Sequence, residues 1–67
     1  MNAIELKKAM LDNGDSNKSL AEFLKIREST FSSKLHEKGT AFRKSEMHKI
    51  IKRYNLSAEQ IKTIFFS

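Results

Sequence analysis

The sequence predicts an all-α fold, five short helices around one core, with residues 1–67 forming a single domain. Three observations carry that reading. Apolar residues recur at three- and four-residue spacing along most of the chain, while no segment alternates apolar with polar residues as a half-buried strand would. Gly14 and Gly39 divide the 67 residues into pieces of helical size. Proline, the strongest interruption to a helix, is absent.

Helix one is predicted over Ala3 to Asn13. Asn2 can cap its start with Glu5 three residues on, Leu6 and Met10 with the flanking Ala3 and Leu11 make its apolar pattern, and Gly14 suits the left-handed position that closes a helix. Ser16 caps the second helix, which buries Leu20, Ala21 and Leu24, carries Phe23 at the edge and ends near Lys25. Phe31 and Leu35, four apart and preceded by the isolated Ile26, predict a tight turn and a third helix from about Glu28 to His36. Glu37 to Phe42, containing Gly39, reads as a loop. Met47, Ile50, Ile51 and Tyr54 sit at i, i+3, i+4 and i+7, the stripe of a docked helix running from Lys44 to Arg53 with Asn55 as its left-handed stop. Ser57 and Gln60 then form a capping box that opens helix five, where Ile61, Ile64 and Phe65 repeat the buried spacing.

Composition narrows the function classes. A chain this short is near the lower limit for folding alone, burying about 60% of its unfolded surface, and leaves little room for a deep enzyme pocket. Without cysteine there is no disulfide, no thiolate zinc site and no cysteine nucleophile, which fits a reducing compartment. No apolar run approaches the roughly 18 residues of a membrane span, and Met1 to Leu6 lacks the basic start of a signal peptide, so the chain reads as soluble and cytoplasmic. Thirteen Lys plus Arg against eight Asp plus Glu give a net charge of +5, enough to attract a polyanion but not to identify one. Lys7, Lys8, Lys49, Lys52 and Arg53 read as solvated faces that raise the general field. His36 and His48 lie twelve apart with no carboxylate or thiol pattern around them, so they read as exposed helix residues and no metal is expected. The carboxylates, Asp15 and Glu46 among them, show no acid/base pairing, and neither an enzyme nor a cofactor is expected.

The informative stretch is the close succession of helices two and three. Ala21 lets two helix backbones approach, Leu20 and Leu24 fill the inner face, Ile26 plugs the turn, and Phe31 with Leu35 anchors the third helix. Ser29, Ser32, Ser33 and His36 are left pointing outward, where they can reach base edges in a DNA groove. The same apolar spacing also suits an ordinary helical hairpin.

The run Asn17-Lys18-Ser19-Leu20-Ala21-Glu22-Phe23-Leu24-Lys25-Ile26-Arg27-Glu28-Ser29-Thr30-Phe31-Ser32-Ser33-Lys34-Leu35 resembles the helix-turn-helix of the phage Cro and CI repressors, the Xre family. The resemblance extends over nearly the whole chain, through the Gly39 loop, Phe42 and the ending Asn55-Leu56-Ser57 with Ile64-Phe65-Phe66. It implies a five-helix lambda-repressor-like domain with its helix-turn-helix at about residues 17–36. It also implies a regulator that binds a palindromic double-stranded operator as a homodimer, each subunit laying the helix 28–36 in the major groove. Arg27, Glu28, Ser29, Ser32 and Ser33 then occupy the base-facing positions. Asn17, where the family commonly has glutamine, and Lys18 would contact phosphate at the start of the first helix of the motif, and Lys38, Thr40 and Arg43 would clamp the backbone from the following loop.

Two positions depart from the family pattern. Lys25 stands where glycine often makes the turn, which costs about 1 kcal/mol if the left-handed conformation is kept, so there is room for a slight rearrangement, but the turn is expected to survive. The base-facing side is mostly hydroxyls, which pair with several bases, and Arg27 alone offers the fork that reads guanine strongly. Glu28 can accept from cytosine N4 or sit at the helix start, where the dipole favours a carboxylate.

Phe65 continues the buried stripe of helix five, which leaves Phe66 either for a dimer contact or to fold back over helix one. A competing reading is a protein-interaction module, an antirepressor or antitoxin-like partner that uses the same fold with its serine face docked on another protein.

Overall fold

The computed structural model describes residues 1–66. Its helices begin where capping groups stand: α1 (Ala3–Asp12), α2 (Asn17–Leu24), α3 (Glu28–Leu35), α4 (Lys44–Tyr54) and α5 (Ala58–Phe65). Asn2 Oδ1 accepts the Glu5 amide at 3.1 Å, and Ser57 with Gln60 forms the expected reciprocal pair at 3.1 and 2.9 Å. Ser16 and Ser19 make a second such box at the start of α2, at 2.9 and 3.1 Å. Each bond satisfies an amide that the first helical turn leaves without a partner.

Four helices end on one backbone motif. A left-handed residue follows the helix, its amide bonds back to the carbonyl three residues earlier, and the next amide bonds to the carbonyl five earlier. The left-handed residues are Gly14, Lys25, Glu37 and Asn55, at φ of 74, 60, 52 and 50°. The paired bonds measure 3.1 and 2.8 Å after α1, 3.0 and 3.0 Å after α2, 3.2 and 2.9 Å after α3, and 3.3 and 3.1 Å after α4. Lys25 therefore keeps the left-handed conformation, and the turn survives without rearrangement. Glu37 adopts the same conformation unforeseen, before Gly39 does so at φ 76°.

The core collects Leu6, Ala9 and Met10 from α1, Leu20, Ala21 and Leu24 from α2, Phe31 and Leu35 from α3, Ile50 and Tyr54 from α4, and Ile64 and Phe65 from α5. Phe42 enters from the loop and meets Phe31 edge-on, with ring centres 5.5 Å apart. Leu11 is not part of this core. It is 74% exposed, because the face that α1 buries is set by Leu6, Ala9 and Met10, and the next residue turns about 100° away. The start of α1 lies beside the end of α5, where the Asn2 amide donates to the Ile64 carbonyl at 2.7 Å.

Two charge clusters tie distant segments together. The Lys34 ammonium on α3 donates to both carboxylate oxygens of Glu46 on α4, at 2.7 and 2.9 Å, and both side chains are about nine-tenths buried. Glu46 also accepts the Arg43 amide at 2.8 Å, which starts α4. Burial pushes the Glu46 carboxyl up, but the Arg43 amide and Lys34 outweigh it and the net shift is downward. In the second cluster the Asp15 carboxylate accepts from Arg53 at 2.8 and 3.0 Å, from the Tyr54 hydroxyl at 2.6 Å and from Ser19 at 2.7 Å. Arg53 holds the Asp15 carboxyl far below its ordinary value despite burial, helped by the two hydroxyls. Burial, then the bond to Asp15, pushes the Tyr54 phenol up. Arg53 is thus not a solvated surface charge: it clamps the α1–α2 connection to α4 and stacks 4.3 Å from the centre of the Phe23 ring.

Removing one member of a buried ion pair strands the other charge, so Lys34→Met or Glu46→Leu alone is expected to cost about 3–5 kcal/mol. The double variant Lys34→Met/Glu46→Leu should lose much less, and urea unfolding of the three proteins checks the order. Both Asp15 and Glu46 titrate lower in the folded than in the unfolded chain. Their stabilisation is complete above the unfolded values of about 4 and is lost as pH falls below them. Thermal unfolding across pH 7 to 2 should show a plateau down to about pH 5 and a fall beneath it, and Asp15→Asn should make that fall shallower.

Candidate nucleic-acid interface

Helices α2 and α3 are eight residues each and joined by a turn of three, Lys25 to Arg27. They pack on each other, and Ala21 of α2 is 1% exposed, with no side chain beyond Cβ to hold a neighbouring backbone away. Ile26 follows the left-handed Lys25 and packs half-buried against the core, closing the turn from inside. Phe31, Lys34 and Leu35 form the inner side of α3, all buried. That assignment determines what remains outside.

Arg27, Glu28 and Ser29 are exposed at the start of α3, Ser32 and Ser33 are half-buried along it, and His36 is exposed at its end. Ser29, Ser32 and Ser33 lie on the side of α3 opposite its buried residues, whereas Arg27, the N-cap, and Glu28, in line with Phe31 and Leu35, are exposed because they stand at the helix start. Of the expected phosphate contacts, Lys18, Lys38, Thr40 and Arg43 are exposed and Asn17 is half-buried. Asn17 opens α2. The loop carrying Lys38 and Thr40 is held at both ends: the Lys38 amide bonds to the Ser33 carbonyl, and Glu46 takes the Arg43 amide. Glu37 receives the Met1 ammonium at 3.2 Å on an exposed edge.

One participant escapes sequence reasoning. Lys7, read as part of a solvated face, donates its ammonium to Asn17 Oδ1 across ten residues. The bond occupies the acceptor end of that amide and leaves its NH2 as the free donor. No local pattern links a mid-helix lysine to the start of the next helix; only the packing of α1 beside α2 makes the pair.

Phe66 is 71% exposed, whereas Phe65 is 8% exposed. Phe66 does not fold back over α1 into the core. Among the described residues no group of three or more His, Asp or Glu side chains is placed to hold a metal ion, and no helix is long and apolar enough to cross a membrane. Comparison of the chain with models of known protein families, with curated proteins and with solved structures finds no match.

The turn itself can be tested. A lysine in the left-handed region carries a penalty of about 1 kcal/mol that glycine does not, so Lys25→Gly should raise stability by up to about that amount. Chemical denaturation should show a higher midpoint with an unchanged slope. A lower midpoint would mean that the lysine side chain makes a compensating contact.

Proposed function

We propose that this chain is a sequence-specific DNA-binding transcription regulator of the Cro and CI type, with residues 17–36 working as its helix-turn-helix. The observation that carries the reading is the division of α3: Phe31, Lys34 and Leu35 are locked inward, and the opposite side carries the exposed Ser29 with the half-buried Ser32 and Ser33. In this reading α3 enters the major groove with Arg27 reading guanine, Glu28, Ser29, Ser32 and Ser33 touching neighbouring base edges, and shape supplementing the hydroxyl contacts. Asn17 and Lys18 at the start of α2, with Lys38, Thr40 and Arg43 after α3, grip phosphates on either side. Lys7 supports this set through Asn17, since its bond to Oδ1 leaves the amide NH2 as the donor for a phosphate.

Two subunits on a palindromic operator place their α3 helices about 34 Å apart, one turn of duplex. Phe66, exposed beside a buried helix end, is the residue we assign to the subunit contact. A domain of this size has little spare apolar surface, so the proposed state is monomer alone and homodimer on DNA.

Selection from random duplex DNA with the purified protein tests the reading. A palindromic motif is the expected product, with affinity falling about a thousandfold or more between 50 and 200 mM salt if six to ten phosphates are neutralised per dimer. Arg27→Ala should weaken binding to the selected site by about 1–3 kcal/mol and relax preference at one base pair per half-site. No enriched motif and a flat salt response would overturn the proposal, and a stable complex through the serine face with another protein would favour the interaction-module reading.

A further inference from the structure

Helix α1 has an outer side that the core does not use and that borders the proposed DNA contacts only at Lys7, the partner of Asn17, and at His36. Ile4 and Leu11 are 70% and 74% exposed on it. Seven residues apart, they stand two turns along one face, opposite the buried Leu6, Ala9 and Met10. With Ala3 and the His36 that ends α3, they line an open groove of about 310 Å³ whose remaining walls are the stems of Lys7 and Lys8. No carboxylate lines it. Glu5 and Asp12 border a separate hollow between α1 and α5.

An exposed apolar residue on its own is ordinary, but two large ones forming a shared groove with a cationic rim have the composition of a docking surface. We propose that this groove receives an acidic amphipathic helix of another protein. Such a helix presents apolar anchors at i, i+3 or i+4, and i+7, a reach that matches the two turns between Ile4 and Leu11. Glutamates beside those anchors meet Lys8 and His36, while Lys7, its ammonium bonded to Asn17, lines the wall with its stem. Among the described residues Lys8 pairs with Glu5, at 3.5 Å on an exposed turn, a pair weak enough to exchange for a partner carboxylate.

Charge and size argue against a second copy of this chain. Face-to-face pairing of two α1 helices crowds four lysines, and a stable dimer needs about 800 Å² from each partner. That is roughly one sixth of a total surface of 4574 Å², far more than two side chains supply.

The probe is a synthetic helical peptide with leucines at i, i+3, i+4 and i+7 and glutamates on its other positions, titrated into the isotope-labelled protein. The expected result is saturable amide shifts confined to Ala3, Ile4, Lys7, Lys8, Leu11 and His36. Affinity should fall at least about tenfold for Ile4→Gln or Leu11→Gln, for a peptide with lysines replacing the glutamates, and for one with scattered leucines. Both substituted residues are exposed, so circular dichroism should show unchanged folding. Equal binding by Leu11→Gln or by the lysine peptide, or shifts centred on α3, would overturn the proposal. So would Leu11-dependent self-association in sedimentation, or Leu11-dependent binding to phosphatidylglycerol vesicles without binding of the peptide. Duplex binding should be the same in Leu11→Gln as in the parent protein, which separates failure of this proposal from failure of the DNA reading.

Discussion

Helices of eight to eleven residues are too short to persist alone in water, so every element here depends on one shared burial event. Phe31 lies at its centre. It comes from the middle of α3, is 0% exposed and meets Phe42 from the following loop. Leu6, Leu20 and Ile50, also 0% exposed, bring α1, α2 and α4 to the same core. A helix committed to the core through Phe31, Lys34 and Leu35 has one rotation available, and that rotation determines which side chains it offers to solvent. The candidate interface is in this sense a by-product of packing.

The two charge clusters refine what burial alone leaves loose. Apolar packing is tolerant of small rotations, whereas a lysine held by both oxygens of one carboxylate is not. Lys34 and Glu46 join the candidate reading helix to the start of α4, and Asp15 with Arg53 and Tyr54 joins the α1–α2 connection to the end of α4. Both clusters use α4 as the reference, one at each end. The buried carboxylates lie among the donors they need, and among the described residues no buried side-chain nitrogen or oxygen lacks a hydrogen-bond partner.

Much of this was legible from local pattern. Asn2, Ser57 with Gln60, Gly14 and Asn55 act where their residue types suggest, and the buried stripes of α2 and α4 follow their spacing, because caps and periodicity are properties of a few neighbouring residues. What was not legible depends on segments far apart in the chain. Arg53 looks like any surface cation until folding puts Asp15 beside it, 38 residues away. Lys7 finds Asn17 only through the packing of α1 on α2. Leu11 fails for a different reason: the buried arc of α1 is centred on Leu6, Ala9 and Met10, and Leu11 falls on the far side of the helix from it. Glu37 at a positive φ was hidden because its residue type gives no signal for the left-handed turn it makes. Among the candidate site residues, positions on α3 follow from the apolar pattern, while their part in binding rests on chemistry and resemblance.

The central claim, that α3 and its flanks form a DNA-binding face, is most directly tested by titrating isotope-labelled protein with a short duplex carrying a selected site. Amide shifts and line broadening should concentrate at Asn17 and Lys18, through Arg27 to Ser33, and over Lys38 to Arg43. Shifts centred instead on α1 and α5, or the same weak changes at every exposed lysine with a scrambled duplex, would contradict it.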